Sequence, residues 1–175
     1  MTLMLVFRAP ATALTVLVLA AALFSGAAGQ QPAPAAVFRP ALDQIRSQTH
    51  LPILLPTKLP SNLRENDIKL AVGEIRKDGY FISLFFADPG SNANYAAGFG
   101  ASSRVFREST NTVLANGRAA IFRPISCGGS CAPANLWWEQ NGVEYNIQVK
   151  LRSNMRESDQ RRILVETANA SVSAR

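Results

Sequence analysis

Two cysteines, a single histidine and a pair of adjacent tryptophans are the residues of this 175-residue chain best suited to chemistry or recognition. In "SCGGSCAPANLWW", residues 126–138, Cys127 and Cys131 enclose Gly128, Gly129 and Ser130. Three chemistries fit such a C-x-x-x-C pair: a disulfide, part of a metal site, or a redox couple. Two glycines let the backbone fold tightly enough for a short S–S bridge. Outside the cytoplasm an isolated pair of thiols normally oxidises. By loop entropy a ring of about five residues stabilises a fold by only about 2 kcal/mol. Such a bridge shapes a loop more than it holds a core. The redox reading requires a thiolate of lowered pKa, usually at a helix N-terminus in a C-x-x-C motif. Here the spacing is one residue longer and a strand follows. The copper reading needs a third ligand, for which His50 is the candidate beside the two sulfurs. A lone histidine at a helix end is ordinarily solvated. The pair therefore reads as a disulfide, with no metal and no cofactor. Thiol-redox or copper handling by Cys127, Cys131 and His50 is the alternative.

The carboxylates are scattered, and only Glu139 and Glu144 are expected to meet, across a turn at 141–142. Paired carboxylates divide acid and base roles when burial separates their pKa values. Beside an exposed turn both are expected to be solvated. Trp137 falls among Glu139, Glu144, Asn146 and Gln148, and an exposed tryptophan among polar groups is the composition of a recognition surface. The competing reading buries Trp137 under the first helix or the 89–104 segment. There is no G-x-S-x-G, no phosphate loop and no dinucleotide glycine fingerprint. The expectation is a binding or structural domain rather than an enzyme.

The first residues place that domain. Arg8 is followed by an uncharged, mostly apolar run from Ala9 to Phe24, then by small residues to Gly29. A basic n-region, an apolar h-region and an A-x-G or A-x-A ending form a secretory signal, with cuts expected after Gly29 or Ala35. The alternative is a membrane anchor at residues 1–28, since about 20 apolar residues can span a bilayer. No cysteine follows the apolar run, which argues against a lipoprotein. Either way the remainder lies outside the cytoplasm, periplasmic or secreted, or anchored with the domain outside. Without Arg8 the chain keeps 17 basic against 12 acidic residues, and no run of five or six like charges. This is a solvated basic surface with no nucleic-acid partner expected. The expected partner is an envelope ligand or protein, and a membrane only if the N-terminal segment is retained.

Beyond a Pro/Ala linker at 30–37, a single α+β domain is expected over 38–175. Phe38, Ala41, Leu42 and Ile45 keep helical spacing, with Pro40 in the first turn. Prolines 52, 56 and 60 forbid helix and predict an extended edge strand or strap. Asp78-Gly79 signals a hairpin. A three-residue loop at 77–79 would pair Val72 with Leu84 and Leu70 with Phe86, whereas a two-residue Asp78-Gly79 turn would pair Val72 with Phe85. The first register is preferred, because it puts Ile68, Leu70, Val72, Ile82, Leu84 and Phe86 on one face. Phe81 and Phe85 then occupy the other face, which must be partly covered. Residues 89–104 read as a mobile loop or a glycine-bearing strand. Asn116-Gly117 and Asn141-Gly142 predict two more tight hairpins. In the second, Val143, Tyr145, Ile147, Val149 and Leu151 alternate with polar residues, so Trp138 pairs with Tyr145 and Leu136 with Ile147. Asn154 and Glu157 have the spacing of a capping box, ahead of a helix with Ile163, Leu164, Ala168 and Val172 on one stripe. The sum is an antiparallel meander of about five or six strands with an N-terminal and a C-terminal helix packed on it.

"LPILLPTKLP", then "LWWEQNGVEYNIQVKL", then "ESDQRRILVETANASV" resemble a bacterial extracytoplasmic domain without assigned activity. It occurs in the outer parts of some membrane-bound anti-sigma factors and in secreted or lipid-anchored proteins. Pro56 or Pro60, Trp138, Gly142, Tyr145 and the helix bearing Ile163, Leu164 and Ala168 match its pattern, over the greater part of the mature chain. The resemblance implies no catalytic residues. The cysteine loop is outside the pattern and no sigma-binding segment precedes the apolar run, so no anti-sigma role is expected. Replacing Cys127 and Cys131 together by serine should lower stability by about 2 kcal/mol and leave the fold intact. Urea titration followed by circular dichroism checks this, and complete unfolding would mean that the loop organises the sheet.

Overall fold

The computed structural model describes residues 32–105 and 108–174. The expected export segment or anchor, and residues 30 and 31 of the linker, lie outside them. The described chain is mostly β, with two short helices. The helices are α1 (Arg39–Ile45) and α2 (Glu157–Asn169). The strands are β1 (Leu54–Pro56), β2 (Leu70–Arg76), β3 (Gly79–Phe85), β4 (Tyr95–Ser102), β5 (Thr112–Val113), β6 (Ala119–Arg123), β7 (Ser126–Cys127), β8 (Cys131–Ala132), β9 (Ala134–Gln140), β10 (Val143–Val149) and β11 (Ser171–Ser173).

Seven strands form the main antiparallel sheet in the order β2-β3-β4-β10-β9-β6-β5, more than the five or six expected. It is not a simple meander. After β4 the chain crosses to the far edge, and β5, β6, β9 and β10 then return inward until β10 pairs with β4. The glycine-bearing 95–102 segment is thus a central strand. β1 and β11 form a separate two-stranded ribbon, as do β7 and β8.

One face of the sheet carries the core. Strand alternation sends Ile82, Leu84, Phe99, Leu136, Tyr145, Ile147 and Phe122 to it, all buried. α1 packs on β2, and α2 contributes Ile163 and Leu164 against β9 and β10. Phe38 meets Phe99 edge to face at 5.0 Å. Trp138 and Tyr145 pair across the β9–β10 hairpin as expected, their rings stacked at 5.6 Å. The proline strap is fastened over this face by two phenols. Tyr80 and Tyr145 both donate to the Pro52 carbonyl, at 3.4 and 3.3 Å, and the Leu54 N–H donates back to the Tyr80 hydroxyl. Burial pushes the Tyr80 hydroxyl well above the ordinary tyrosine range, and the Leu54 bond offsets only part of it.

Several local expectations are corrected. Neither register foreseen at Asp78-Gly79 forms: Arg76 faces Gly79, so Lys77 and Asp78 make the connection, and Val72 faces Ser83. β3 keeps its expected faces, with Phe81 on the other side, but β2 is turned over. Ala71 and Gly73 look inward, while Leu70 and Val72 look out. The cause is α1. A methyl group on Gly73 would lie 2.6 Å from both the Ala41 carbonyl oxygen and Ile45 Cγ2, so only small residues fit under the helix. The Gln44 side chain also accepts the Gly73 N–H at 2.8 Å, closing part of this sheet edge. At Asn116-Gly117 the loop is longer than two residues: Leu114 N–H reaches the Arg118 carbonyl, and Gly117 takes φ +77°.

No capping box forms. α2 starts at Glu157 with Arg156 as its cap, which leaves Asn154 two residues outside, and Glu157 pairs with Arg161 instead. Val172 belongs to β11, opposite Leu55, and not to the helical stripe. Ala35, assigned to the linker, is buried and its N–H bonds to the Pro56 carbonyl at 3.0 Å. Trp138→Ala should cost about 3–5 kcal/mol by urea titration. Tyr145→Ala should be comparable, and the double variant should fall short of the sum by at least about 0.5 kcal/mol because the rings share one contact. Strict additivity would contradict the stacked pair.

Candidate functional site

The cysteine loop is the first candidate. Cys127 and Cys131 face each other across the β7–β8 ribbon with sulfurs at bonding distance, 2.09 Å, and Cα atoms 4.0 Å apart. The ribbon is exposed, and Gly128 and Gly129 have open space on their side-chain side. Strand β9 follows, so no helix N-terminus acts on either sulfur. His50 is exposed beyond α1. Among the described residues no three histidine, cysteine, aspartate or glutamate side chains converge on one point. The structure therefore does not bring Cys127, Cys131 and His50 into one ligand set.

The second candidate lies on the outer face of the sheet, opposite the helices. Pairing across the strands sets one row there: Glu74, Phe81, Gly100, Asn146, Trp137 and Ile121. Trp137 thus faces Asn146 on the side away from Tyr145, as the alternation requires. It is half-buried, and neither expected cover lies over it. α1 packs on the inner face, and 95–102 is a strand of the same sheet. The Arg123 guanidinium instead sits 5.3 Å from the indole and is ion-paired with Glu108.

The glutamates separate. Glu139 is exposed, whereas Glu144 is 6 % exposed and not solvated as expected. The sequence pattern placed Glu144 beside a turn. In the sheet it lies on a central strand, flanked by Ser102 on one side and Glu139 on the other.

On this face Phe81, Trp137 and the strip between them bound a cleft of about 390 Å³. Gly100, Ser102, Asn146 and Gln148 lie along it, and Arg76 and Lys77 stand at the β2–β3 end. Glu144 lines it and Glu139 does not. Phe81 lies flat on β4 because Gly98 and Gly100 have no side chains: a methyl group on Gly100 would come within 2.6 Å of Phe81 Cδ2. Arg76 covers the ring at 4.3 Å. Next to it, the Tyr95 hydroxyl donates to Gln148 Oε1 at 3.1 Å, and burial pushes that hydroxyl well above the usual tyrosine range. Asn146 bonds Asn135 at 3.4 Å.

Of the surface expected from sequence, the cleft thus gathers Trp137, Glu144 and Asn146. Gln148, expected near Trp137, lines it too, and the cleft adds Phe81 and Arg76, which sequence reasoning left out. A usable signal existed in "YAAGFGAS": two glycines at strand period share one face and leave room there for a neighbouring ring. Comparison with protein-family models, curated proteins and solved structures finds no match to this chain. Among the described residues no helix is long and apolar enough to cross a membrane. Gly100→Ala should displace Phe81 and cost about 1–3 kcal/mol in a urea titration. An unchanged midpoint would show that the ring does not rest on β4.

Proposed function

We propose that this protein is an exported, non-catalytic envelope domain that binds a small ligand in the outer-face cleft. The observation that carries the reading is the cleft itself, which brings two aromatic residues together with amide and guanidinium groups. Ligand clefts commonly occupy ~300–1,000 Å³ and combine apolar walls with a few polar groups, and this one is at the small end of that range. The signal-like N-terminus and the oxidised cysteine pair support a site outside the cytoplasm. The resemblance to bacterial extracytoplasmic domains points the same way. The polar groups along the strip, Asn146, Gln148 and Ser102, suit hydrogen bonding to a ligand more than group transfer.

The test is cosedimentation of the full chain, expressed through the export route of a Gram-negative host, with isolated envelopes of that host. The wild-type protein should pellet with the envelopes. Trp137→Ala should reduce the bound fraction about tenfold while lowering the melting temperature far less than Trp138→Ala does. A wild-type protein that stays in the supernatant, or a Trp137→Ala variant that pellets equally well, would overturn the proposal.

A further inference from the structure

The ligand class can be narrowed on the basis of that binding reading. We infer that the outer-face cleft accepts an uncharged saccharide ring, held against one aromatic wall and hydrogen-bonded by Asn146 and Gln148.

The formal charges in the lining cancel, Arg76 and Lys77 against Asp78 and Glu144. Arg76 and Asp78 are each already engaged locally, with Glu74 at 3.4 Å and Arg104 at 3.0 Å. An anionic ligand would gain little there from net field, and neither would a cation.

Planar heteroaromatic ligands fit poorly. Phe81 and Trp137 stand on strands three spacings apart, about 14 Å, whereas sandwiching a flat ring needs faces about 7 Å apart. The Phe81 ring is also held between the β4 glycines and Arg76, so neither of its faces is open to a flat ligand. An extended peptide would bind through a sheet edge, where backbone groups are offered. This cleft is on the face of the sheet, over β4 and β10, whose backbones are paired on both sides.

A pyranose ring matches what remains. It has an apolar C–H face for the half-buried Trp137 indole and a rim of hydroxyls for planar amides. Gln148 uses its Oε1 for Tyr95, and Asn146 uses its Nδ2 for Asn135. Among the described residues that leaves the Gln148 N–H groups and the Asn146 carbonyl oxygen to face the cleft, one donor group and one acceptor on adjacent outward positions of one strand. Phe81 is already seated on Gly98 and Gly100 beneath Arg76, so the sugar ring takes the Trp137 side of the cleft, beside Asn146.

The experiment uses the exported full chain and its intrinsic tryptophan fluorescence, titrated with three neutral tetrasaccharides: N-acetylglucosamine tetramer, cellotetraose and maltotetraose. At least one should give a saturable change. Its affinity should fall about tenfold in Trp137→Ala and in Asn146→Ala, read for both variants by calorimetry, with melting curves showing that both are folded. It should stay within about twofold between 0.05 and 0.5 M salt, because an uncharged ligand leaves little to screen. No binding of any of the three at about 10 mM, where even a millimolar site fills, overturns the inference. So does affinity that is unaltered in both variants or that collapses with salt, or binding seen only with an acidic tetrapeptide or with phosphatidylglycerol vesicles. Envelope cosedimentation without tetrasaccharide binding removes this inference and leaves the proposed function standing. Loss of both removes both.

Discussion

The parity of the β9–β10 hairpin is the constraint on which the rest depends. Asn141 and Gly142 both take positive φ, 55° and 74°, which closes a two-residue turn and permits one register only. That register sends Trp138 and Tyr145 to one face and Trp137 and Asn146 to the other. A slip by one residue would exchange them, putting Asn146 and Gln148 into the core and Ile147 on the outside. The two sides of the protein, one packed and one presenting a cleft, therefore follow from one turn. Tyr145 carries the consequence further, because its hydroxyl reaches the Pro52 carbonyl and so couples the hairpin to the strap.

Small residues do the complementary work on the other half of the sheet. Gly73 lets α1 approach β2, and Gly98 and Gly100 let Phe81 lie on β4. Glycine in a strand interior weakens it, since it loses more backbone freedom on folding and packs nothing. Here two of these positions lie on β4, which is stabilised by pairing on both sides, so the cost is offset by the sheet itself. The outer face consequently carries the Phe81 ring flat against β4 where other side chains would otherwise stand.

The peripheral elements are fastened by side chains rather than by long ladders. The Gln160 amide accepts the Ile125 N–H and donates to the Met155 carbonyl, which ties the start of α2 to the segment leading into the cysteine ribbon. The Asn111 side chain exchanges two hydrogen bonds with the Phe122 backbone and extends the short β5–β6 pairing. Arg161 lies over Phe122 at 4.8 Å while bonding the Asn111 carbonyl, so α2 also secures the far edge. The cysteine ribbon, exposed and small, stands outside this network, in keeping with a bridge that shapes a loop.

Local information in the sequence determined what periodicity and turn chemistry can express. It was enough for α1 and its buried face, for the β9–β10 register, and for the outward placement of Trp137 and Phe81. The cysteine pairing was legible as well, because two glycines and a serine leave the chain little choice. What neighbours decide was not legible. The β2 register depends on the bulk of α1, which is remote in sequence, so the apolar residues of β2 misled. Glu144 looked solvated beside its turn and is buried because β4, some forty residues earlier, pairs alongside it. The place of β4 in the centre of the sheet follows from a crossover to the far edge, which no local pattern encodes. The cleft exists only because that crossover sets the glycines of β4 between Phe81 and Trp137. Sequence alternation chooses a face for each side chain, but only the packed sheet decides which strands share that face and what stands next to what.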